Sequence, residues 1–429
     1  MSRYIIAGIL SLLACSAFAK EAIPTTISLQ YALQRAESNH PDIEQAQAAI
    51  ELAESEGLEA QSLTGTNVEI RSRLRYVEPN NTIRDQTHND SRIGLFVSKN
   101  LYDFGHSDAA SRAATAAIKS ERIHLASTRN QRRLEIMRRY FDVLLADLEY
   151  LRDNEDMATA FISVDKARDR RDVGQLSDVE VLELESAYQQ VRLKRYRSDS
   201  HQRSMRALLA IAMNQAGHLP AVLVEPKLLS LSRKLPELEE TQALAKTDNF
   251  TLRAAQVRLD AAQARLASAR ASDNPVLSGE FEVSENSRAT GSRDDARIGL
   301  QLNIPLSTGG KTRARVARQQ AVIRSERANL AKQKALVEQS VLEVWLELNN
   351  LAAQRQQANA QLEYSELYLD QRRALYELET RTNLGDAMVR ISEAQRFLKE
   401  TEFDIAYHWA QLDALTGKTV YAGAVEGEK

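Results

Sequence analysis

The stretch Arg297-Ile298-Gly299-Leu300-Gln301-Leu302-Asn303-Ile304-Pro305-Leu306 sets Ile298, Leu300, Leu302, Ile304 and Leu306 against Arg297, Gly299, Gln301, Asn303 and Pro305. Strand side chains point alternately to opposite faces, so this period of two predicts a strand with one apolar and one polar face. Its first four residues repeat Arg92-Ile93-Gly94-Leu95, 205 positions earlier (297 − 92). The same offset carries Leu101 to Leu306, Gly105 to Gly310, and Ser177-Asp178-Val179 onto Thr382-Asn383-Leu384. Upstream, Ala36, Ala46 and Gln47 return as Ala245, Ala255 and Gln256 at an offset of 209 (245 − 36). A loop between the two blocks absorbs the change. The chain is two copies of one unit.

Each copy carries a pair of such strands. In the first, Val68, Ile70, Leu74 and Tyr76 interleave with Glu69, Arg71, Arg73 and Arg75, with Ser72 breaking the apolar side; Ile93, Leu95 and Val97 follow in the partner. In the second, Gly279, Phe281 and Val283 interleave with Glu280, Glu282 and Ser284 ahead of the 297–306 segment. Polar loops, Glu78 to Asp90 and Asn286 to Asp295, join the strands of each pair.

Between the strand pairs the chain lacks breakers. Its 429 residues hold only 16 Gly and 8 Pro, against usual shares of about 7% and 5%, and none falls in His106–Val173 or Lys311–Leu384. At 1.5 Å per residue each run makes a helix of roughly 100 Å. That exceeds any globular helix and points to a coiled or repeated packing. Leu134, Met137, Phe141, Leu144, Leu148 and Leu151 alternate spacings of three and four, as do Val337, Val341, Val344, Leu348 and Leu351. Ile391, Leu398, Ile405 and Leu412 recur every seven, the seam of a left-handed coil. The rest of these helices is polar, and the charges Arg132, Arg133, Arg138 and Arg139 read as a solvated face.

The expected organisation is therefore a signal peptide at 1–19, a first repeat at 20–216, a linker at 217–236, a second repeat at 237–417 and a flexible C-terminal tail at 418–429. The first repeat holds strands at about 66–77 and 91–101 and long helices at about 106–173 and 177–216. The second holds strands at about 276–284 and 296–306 and helices at about 311–381 and 384–416.

The leader has a charged start in Arg3, an apolar core from Tyr4 to Leu13 and a small-residue cleavage site, Ala17-Phe18-Ala19, so the chain is exported. Leu12-Leu13-Ala14-Cys15 also resembles a lipobox; cleavage there would leave Cys15 as an acylated lipid anchor, whereas cleavage after Ala19 removes it. As the only cysteine, Cys15 excludes a disulfide framework and a cysteine-built zinc site. A net charge of −3 gives no nucleic-acid footprint.

No later segment is an apolar run of about 18 residues, so membrane insertion falls to the strands. At about ten residues each they are long enough to cross a bilayer at a tilt. Strands in lipid must close into a barrel, and known barrels begin at about eight strands. Four per chain cannot close one. Several chains must share it.

Two helix-to-helix turns carry strong stop and start signals. Val173-Gly174-Gln175-Leu176 precedes Ser177-Asp178-Val179-Glu180, a capping box with Ser177 as cap and Glu180 at the third position. Arg381-Thr382-Asn383 leads into Leu384-Gly385-Asp386, with Asn383 as cap. Both place hairpins far from the strands, with Glu180, Glu183 and Asp386 near that end. In a symmetric assembly they would form rings, and acidic rings favour cations and can tie a gate; alone, each is a favourable charge at a helix N-terminus.

Catalytic patterns are missing. His40, His88, His106, His124, His201, His218 and His408 are scattered, and no HExxH, nucleophile elbow or dinucleotide fingerprint occurs. Gly309-Gly310-Lys311-Thr312 ends like a phosphate loop but lacks its first glycine; its place in the repeat matches Phe104-Gly105, a strand-to-helix turn. No enzyme activity, metal or cofactor is expected.

The doubled unit, the junctions Leu101-Tyr102-Asp103-Phe104-Gly105 and Pro305-Leu306-Ser307-Thr308-Gly309-Gly310, and the two turns together resemble the TolC family of outer-membrane efflux proteins. The resemblance covers nearly the whole chain after the leader. It implies a mainly α fold with transmembrane β-strands: a homotrimer with a twelve-stranded barrel in the outer membrane of a Gram-negative bacterium, continued by a long α-helical barrel in the periplasm. It implies outer-membrane lipid, a periplasmic adaptor and an inner-membrane pump or ABC exporter as partners. The function implied is the exit duct of a tripartite efflux system, with the outer-membrane channel of a type I protein-secretion system as the close alternative. A periplasmic adaptor or an exported coiled-coil protein fits the doubled strand pairs less well. Carried over by position, the resemblance places Glu180, Glu183, Arg381 and Asp386 at a periplasmic gate. Adaptor docking then falls to Val173, Gly174, Ser177, Thr382, Asn383 and Gly385, and the strand-to-helix junctions to Gly105, Pro305, Gly309 and Gly310. Gly385 stands where the family has the first gate aspartate and Met388 where it has the second, so the carboxylate ring is incomplete here.

Overall fold

The computed structural model describes residues 26–37, 40–217, 222–288, 294–378 and 384–420. The leader with Cys15, and the turn residues Arg381, Thr382 and Asn383, lie outside them. The first unit runs β1 (Thr26–Ile27), α1 (Leu29–Gln34), α2 (Pro41–Ser62), β2 (Thr66–Arg73), β3 (Arg92–Tyr102), α3 (His106–Asp172) and α4 (Asp178–Ala212). The second runs β4 (Val222–Leu223), α5 (Leu238–Asp248), α6 (Phe250–Ala271), β5 (Val276–Asn286), β6 (Ala296–Asn303), α7 (Lys311–Glu377) and α8 (Leu384–Leu415). The order helix, strand, strand, long helix, helix occurs twice.

α3 and α7 contain 67 residues each, so each is about 100 Å long at 1.5 Å per residue. α3 is flanked on one side by α2 and then α4, and on the other by α6 and then α8; α7 lies beyond α6 and α8. Near the strands the helices approach closely through small residues: Ala109, Ala113, Ala254, Ala255, Ala261 and Ala262 are all buried. Ser120 donates to the Ala254 carbonyl at 3.1 Å across that contact.

A thicker belt surrounds the middle of α3. Ile27, Leu29, Met137, Tyr140, Phe141, Leu209, Met213 and Phe403 are buried there together. The Phe141 and Phe403 rings stack at 4.7 Å. Parallel pairing of β1 with β4 brings the start of the first unit against the segment between the units. The Tyr140 hydroxyl donates to the Ile27 carbonyl at 2.9 Å and also to that of Val224. A second core joins Ala245 and Leu252 to Val337, Val341, Leu348 and Leu351 of α7 and Ile405, Trp409 and Leu412 of α8. The heptad stripes of α3, α7 and α8 thus serve the belt as well as the coils.

Several expectations are corrected. Residues 217–236 are more than a linker: they contribute β4 and a 3-10 turn at Leu229–Ser232 whose Ser230 is buried. The tail is anchored at its start, because Asn130 donates to the Lys418 carbonyl at 2.8 Å and accepts from the Val420 amide at 3.2 Å, leaving Val420 buried. Arg132 does not belong to a solvated face. It is 5% exposed and donates to the Ala212 carbonyl, satisfying the C-terminal end of α4. β6 stops at Asn303, short of 306, since Pro305 has no amide to offer a ladder. Regular pairing of β2 ends at Arg73, yet the hairpin continues through Asp90 N to Arg75 O at 2.9 Å and Val77 N to His88 O at 3.0 Å. α4 ends at Ala212, before 216, where Asn214 turns the backbone to φ 56°.

Candidate functional site

The four longer strands form one antiparallel sheet in the order β2-β3-β5-β6. Residues directly opposite in an antiparallel ladder share a face. Ile70 opposes Leu95, Leu95 opposes Val283, Phe281 opposes Ile298, and Gly279 opposes Leu300. Those pairs make one continuous apolar face with Val68, Ile93, Val97, Leu277 and Leu302. It is uncovered: Ile70 is 73% exposed, Ile298 84% and Leu300 72%. A patch of this breadth is far larger than scattered surface leucines and marks contact with lipid or protein.

The opposite face is polar. Arg71 pairs with Glu69, and Glu282 lies between Arg92 and Arg297. Phe96 is a large aromatic residue on that side, and two guanidiniums cover it: Arg71 lies 4.4 Å from the ring centroid and Arg92 5.2 Å. Such cation–π contacts keep an aromatic ring compatible with a wet surface. Sequence reading marked Arg71, Arg73, Arg75, Glu280 and Glu282 for this face but missed Arg92 and Phe96. The available signal was Phe96 falling in the polar register of its strand. At the end remote from the helices, Arg75 Nε donates to Asp90 at 2.6 Å. Arg288 donates to the Asp85 carbonyl at 2.7 Å, tying the two strand-pair loops together.

Where the sheet meets the long helices, both copies turn through left-handed backbone. Phe104 has φ 51° and Gly105 φ 94°; their counterparts Gly309 and Gly310 have φ 60° and 86°. Gly105 and Gly310 are the N-terminal caps of α3 and α7. Glycine takes this conformation without steric cost. The Gly-Gly-Lys-Thr string is thus a turn that aims α7 away from the sheet, with Pro305 just ahead of it in the connection. Asp103 accepts from the Ser107 amide at 2.8 Å, adding the side-chain cap that Gly105 cannot supply.

At the far end, α3 closes at Val173 and reverses through Gly174 at φ 74°. The Gln175 amide bonds the Arg170 carbonyl at 2.7 Å and the Gly174 amide that of Arg171 at 2.8 Å. The capping box of α4 is complete. Ser177 N and Oγ both donate to Glu180 Oε2 at 2.8 Å, and the Glu180 amide returns a bond to Ser177 Oγ at 3.3 Å. The bonds from the Ser177 amide and hydroxyl hold the Glu180 carboxyl below the usual carboxylate range. Within one chain Glu180 therefore fixes the turn. Glu183 is exposed one turn further on. On α8, Asp386 pairs with Arg390 at 3.2 Å.

Gly385 has a steric reason. A Cβ there would lie 2.1 Å from Thr159 Cγ2 and 2.6 Å from Thr159 Oγ1. The start of α8 runs so close to α3 that a side chain does not fit, which explains why no carboxylate occupies this position.

Comparison with known proteins agrees with this geometry. Residues 242–418 match the family model described as outer membrane efflux protein. Protein CyaE of Bordetella pertussis is 28% identical over 255 residues, 58% of this chain and 52% of CyaE, so the match spans about half the length of that relative. Among solved structures, the outer membrane protein VceC from Vibrio cholerae superposes with a TM-score of 0.72 at 15% identity, covering 91% of this chain and 96% of VceC. The Campylobacter jejuni CmeC outer membrane channel gives 0.74 at 13% identity, covering 94% and 87%. A membrane protein from Pseudomonas aeruginosa gives 0.75 at 17%, covering 92% and 91%. The chain therefore shares the fold of these outer membrane channels over nearly its whole length, and its residues 242–418 carry the match to the outer membrane efflux protein model.

Proposed function

We propose that three copies of this chain form a passive exit duct, the outer-membrane component of a tripartite efflux system supplied by an inner-membrane transporter through a periplasmic adaptor. One observation carries the reading: a four-stranded sheet with one bare apolar face and two open edges, joined to helices of 67 residues. Four strands leave edges that lipid does not tolerate, and three chains supply twelve, enough to enclose a wet lumen. In this reading Glu180, Glu183, Arg381 and Asp386 line the periplasmic mouth. The turns at Val173, Gly174 and Ser177 and at Thr382, Asn383 and Gly385 meet the adaptor.

The test is a deletion strain challenged with antibiotics, dyes and metals and assayed for secreted proteins. Sensitisation to small molecules that the chain restores on complementation supports the efflux role. Loss of a secreted protein alone would assign the chain to a type I secretion system, and unchanged export of every cargo would refute the duct. For the gate, neutralising Glu180 together with Arg381 should raise single-channel conductance in planar bilayers. Conductance and cation preference equal to the parent's would remove those two residues from it.

A further inference from the structure

Near the middle of the long helices, α8 and α6 meet end to end between α3 and α7. Asn249 joins them: its Nδ2 donates to the Leu415 carbonyl at 3.0 Å, and its Oδ1 accepts from the Thr251 and Leu252 amides at 2.9 and 3.1 Å. The break in this helix row leaves a cavity of about 580 Å³ bordered by all four helices. Sites for small molecules run from about 300 to 1,000 Å³. Half-buried Leu134, Phe250, Val344 and Leu415 give it apolar walls.

Its charge is one-sided. Glu343 and Glu347 line the cavity one helical turn apart on α7, and among the described residues no lysine or arginine lines it. Neither carboxylate has a cationic partner among the described residues; Glu343 accepts a bond from the Gln339 side-chain amide at 2.7 Å. His408, the other ionisable group in the wall, is tied through Nδ1 to the Asp404 carbonyl at 2.7 Å. The C-terminal end of α8 and the N-terminal end of α6 face each other here, so their dipoles largely offset and the two carboxylates set the local potential.

The cavity opens on a defined side of α7. On one flank, the Trp345 indole donates to the Pro236 carbonyl at 2.9 Å and Glu338 pairs with Lys246 of α5 at 3.1 Å, so this flank carries the segment between the units. Glu343 and Glu347 each stand two residues from Trp345, about 200° around the helix, on the opposite flank. In the proposed duct residues 222–248 lie outside, because inside they would fill the passage, and the cavity then faces the lumen.

We propose that this cavity binds a monovalent organic cation with an aromatic or branched apolar body. Glu343 and Glu347 hold the charge, and the body lies against Leu134, Phe250, Val344 and Leu415. A metal ion fits less well, since no group of three or more His, Cys, Asp or Glu side chains able to hold one occurs among the described residues. The cavity and its charge belong to one chain; that the bound cation is cargo in transit rests on the duct reading.

Tetraphenylphosphonium and tetraphenylborate, matched in shape and opposite in charge, test the site by equilibrium dialysis against the purified full chain in detergent. The phosphonium should bind above the level of detergent alone and the borate should not. Glu343→Gln with Glu347→Gln should weaken phosphonium binding about tenfold, the combined effect of two partly solvated ion pairs. Val344→Arg puts a cation in the wall and should abolish binding, whereas Glu338→Gln on the opposite flank should leave it unchanged. Ser340→Lys reads the same repulsion from the rim of the cavity where the Val344 variant folds poorly. Equal binding of the two ions, or phosphonium binding that survives both Gln substitutions, overturns the site. Single-channel recordings of the same protein keep the two readings apart. A conducting channel without phosphonium binding overturns the site alone, while binding to a chain that forms no channel upholds the site and overturns the duct.

Discussion

Replacing Leu300 by arginine tests which face of the sheet meets lipid. Leu300 is the fifth of the eight residues of β6, is 72% exposed and lies on the apolar face opposite Gly279. Strands rise about 3.4 Å per residue and tilt by roughly 35–45° in membrane barrels, which places this residue within a few Å of the middle of the band. An arginine facing lipid at the midplane costs about 2–4 kcal/mol. In the proposed trimer the three copies together would lose roughly 6–12 kcal/mol. Gln301→Arg, the very next position, points to the wet face and should stay within about 0.5 kcal/mol of neutral. The assay compares the two variants for trimer in outer-membrane fractions and for the temperature at which that trimer dissociates in detergent. L300R should be depleted and heat-labile while Q301R matches the parent. Equal behaviour of the two, or a worse outcome for Q301R, would refute the facing derived from the strand register.

Four other outcomes are expected. Gly385→Ala should cost about 1–3 kcal/mol by overpacking against Thr159, read as faster hydrogen exchange at the start of α8; adding Thr159→Ala should recover most of it, and a silent G385A would contradict the close approach. Tyr140→Phe should lower stability by about 1 kcal/mol, because the Val224 carbonyl loses its donor while the Ile27 carbonyl keeps the Val224 amide; an unchanged melting temperature would show that this bond is immaterial. His40 caps α2 by accepting from the Asp42 amide at 3.2 Å, and desolvation, followed by the charge of Arg132, lowers its pKa below 6.5. Its stabilising contribution is therefore present above the unfolded pKa and disappears as pH falls through the folded one; exchange protection at the start of α2 should fall below about pH 6.5 in the parent but not in His40→Asn, and identical pH profiles would exclude the cap. Arg73, on the polar face with no ion pair among the described residues, should favour anions, so Arg73→Gln should move the reversal potential in a salt gradient toward cation preference.

How legible all this was from sequence differs by element. The strands and their two faces could be read because period-two alternation survives wherever a sheet separates lipid from water. The long helices could be read from missing glycine and proline. The belt could not. Its core joins Ile27, Tyr140, Leu209, Phe403 and Val420, residues scattered along the chain, and no local pattern announces that residues 217–236 add a strand to it. Arg132 looked solvated because its neighbours are charged, and only the arrival of the α4 terminus beside it explains its burial. At the tip, the capping box was visible from spacing, while the reason for Gly385 needed the position of Thr159 on another helix.

By itself the sequence determined the duplication, the sidedness of the strands and the reach of the helices, since each is a local periodicity imposed by backbone geometry on the solvent boundary. Tertiary structure alone decided the strand order, the register across the two copies, the belt and the close contact at Gly385, because those depend on which distant surfaces meet and how much room they leave. Four strands are the result, and the hydrogen-bonding groups along the two edges of that sheet have no strand beside them among the described residues.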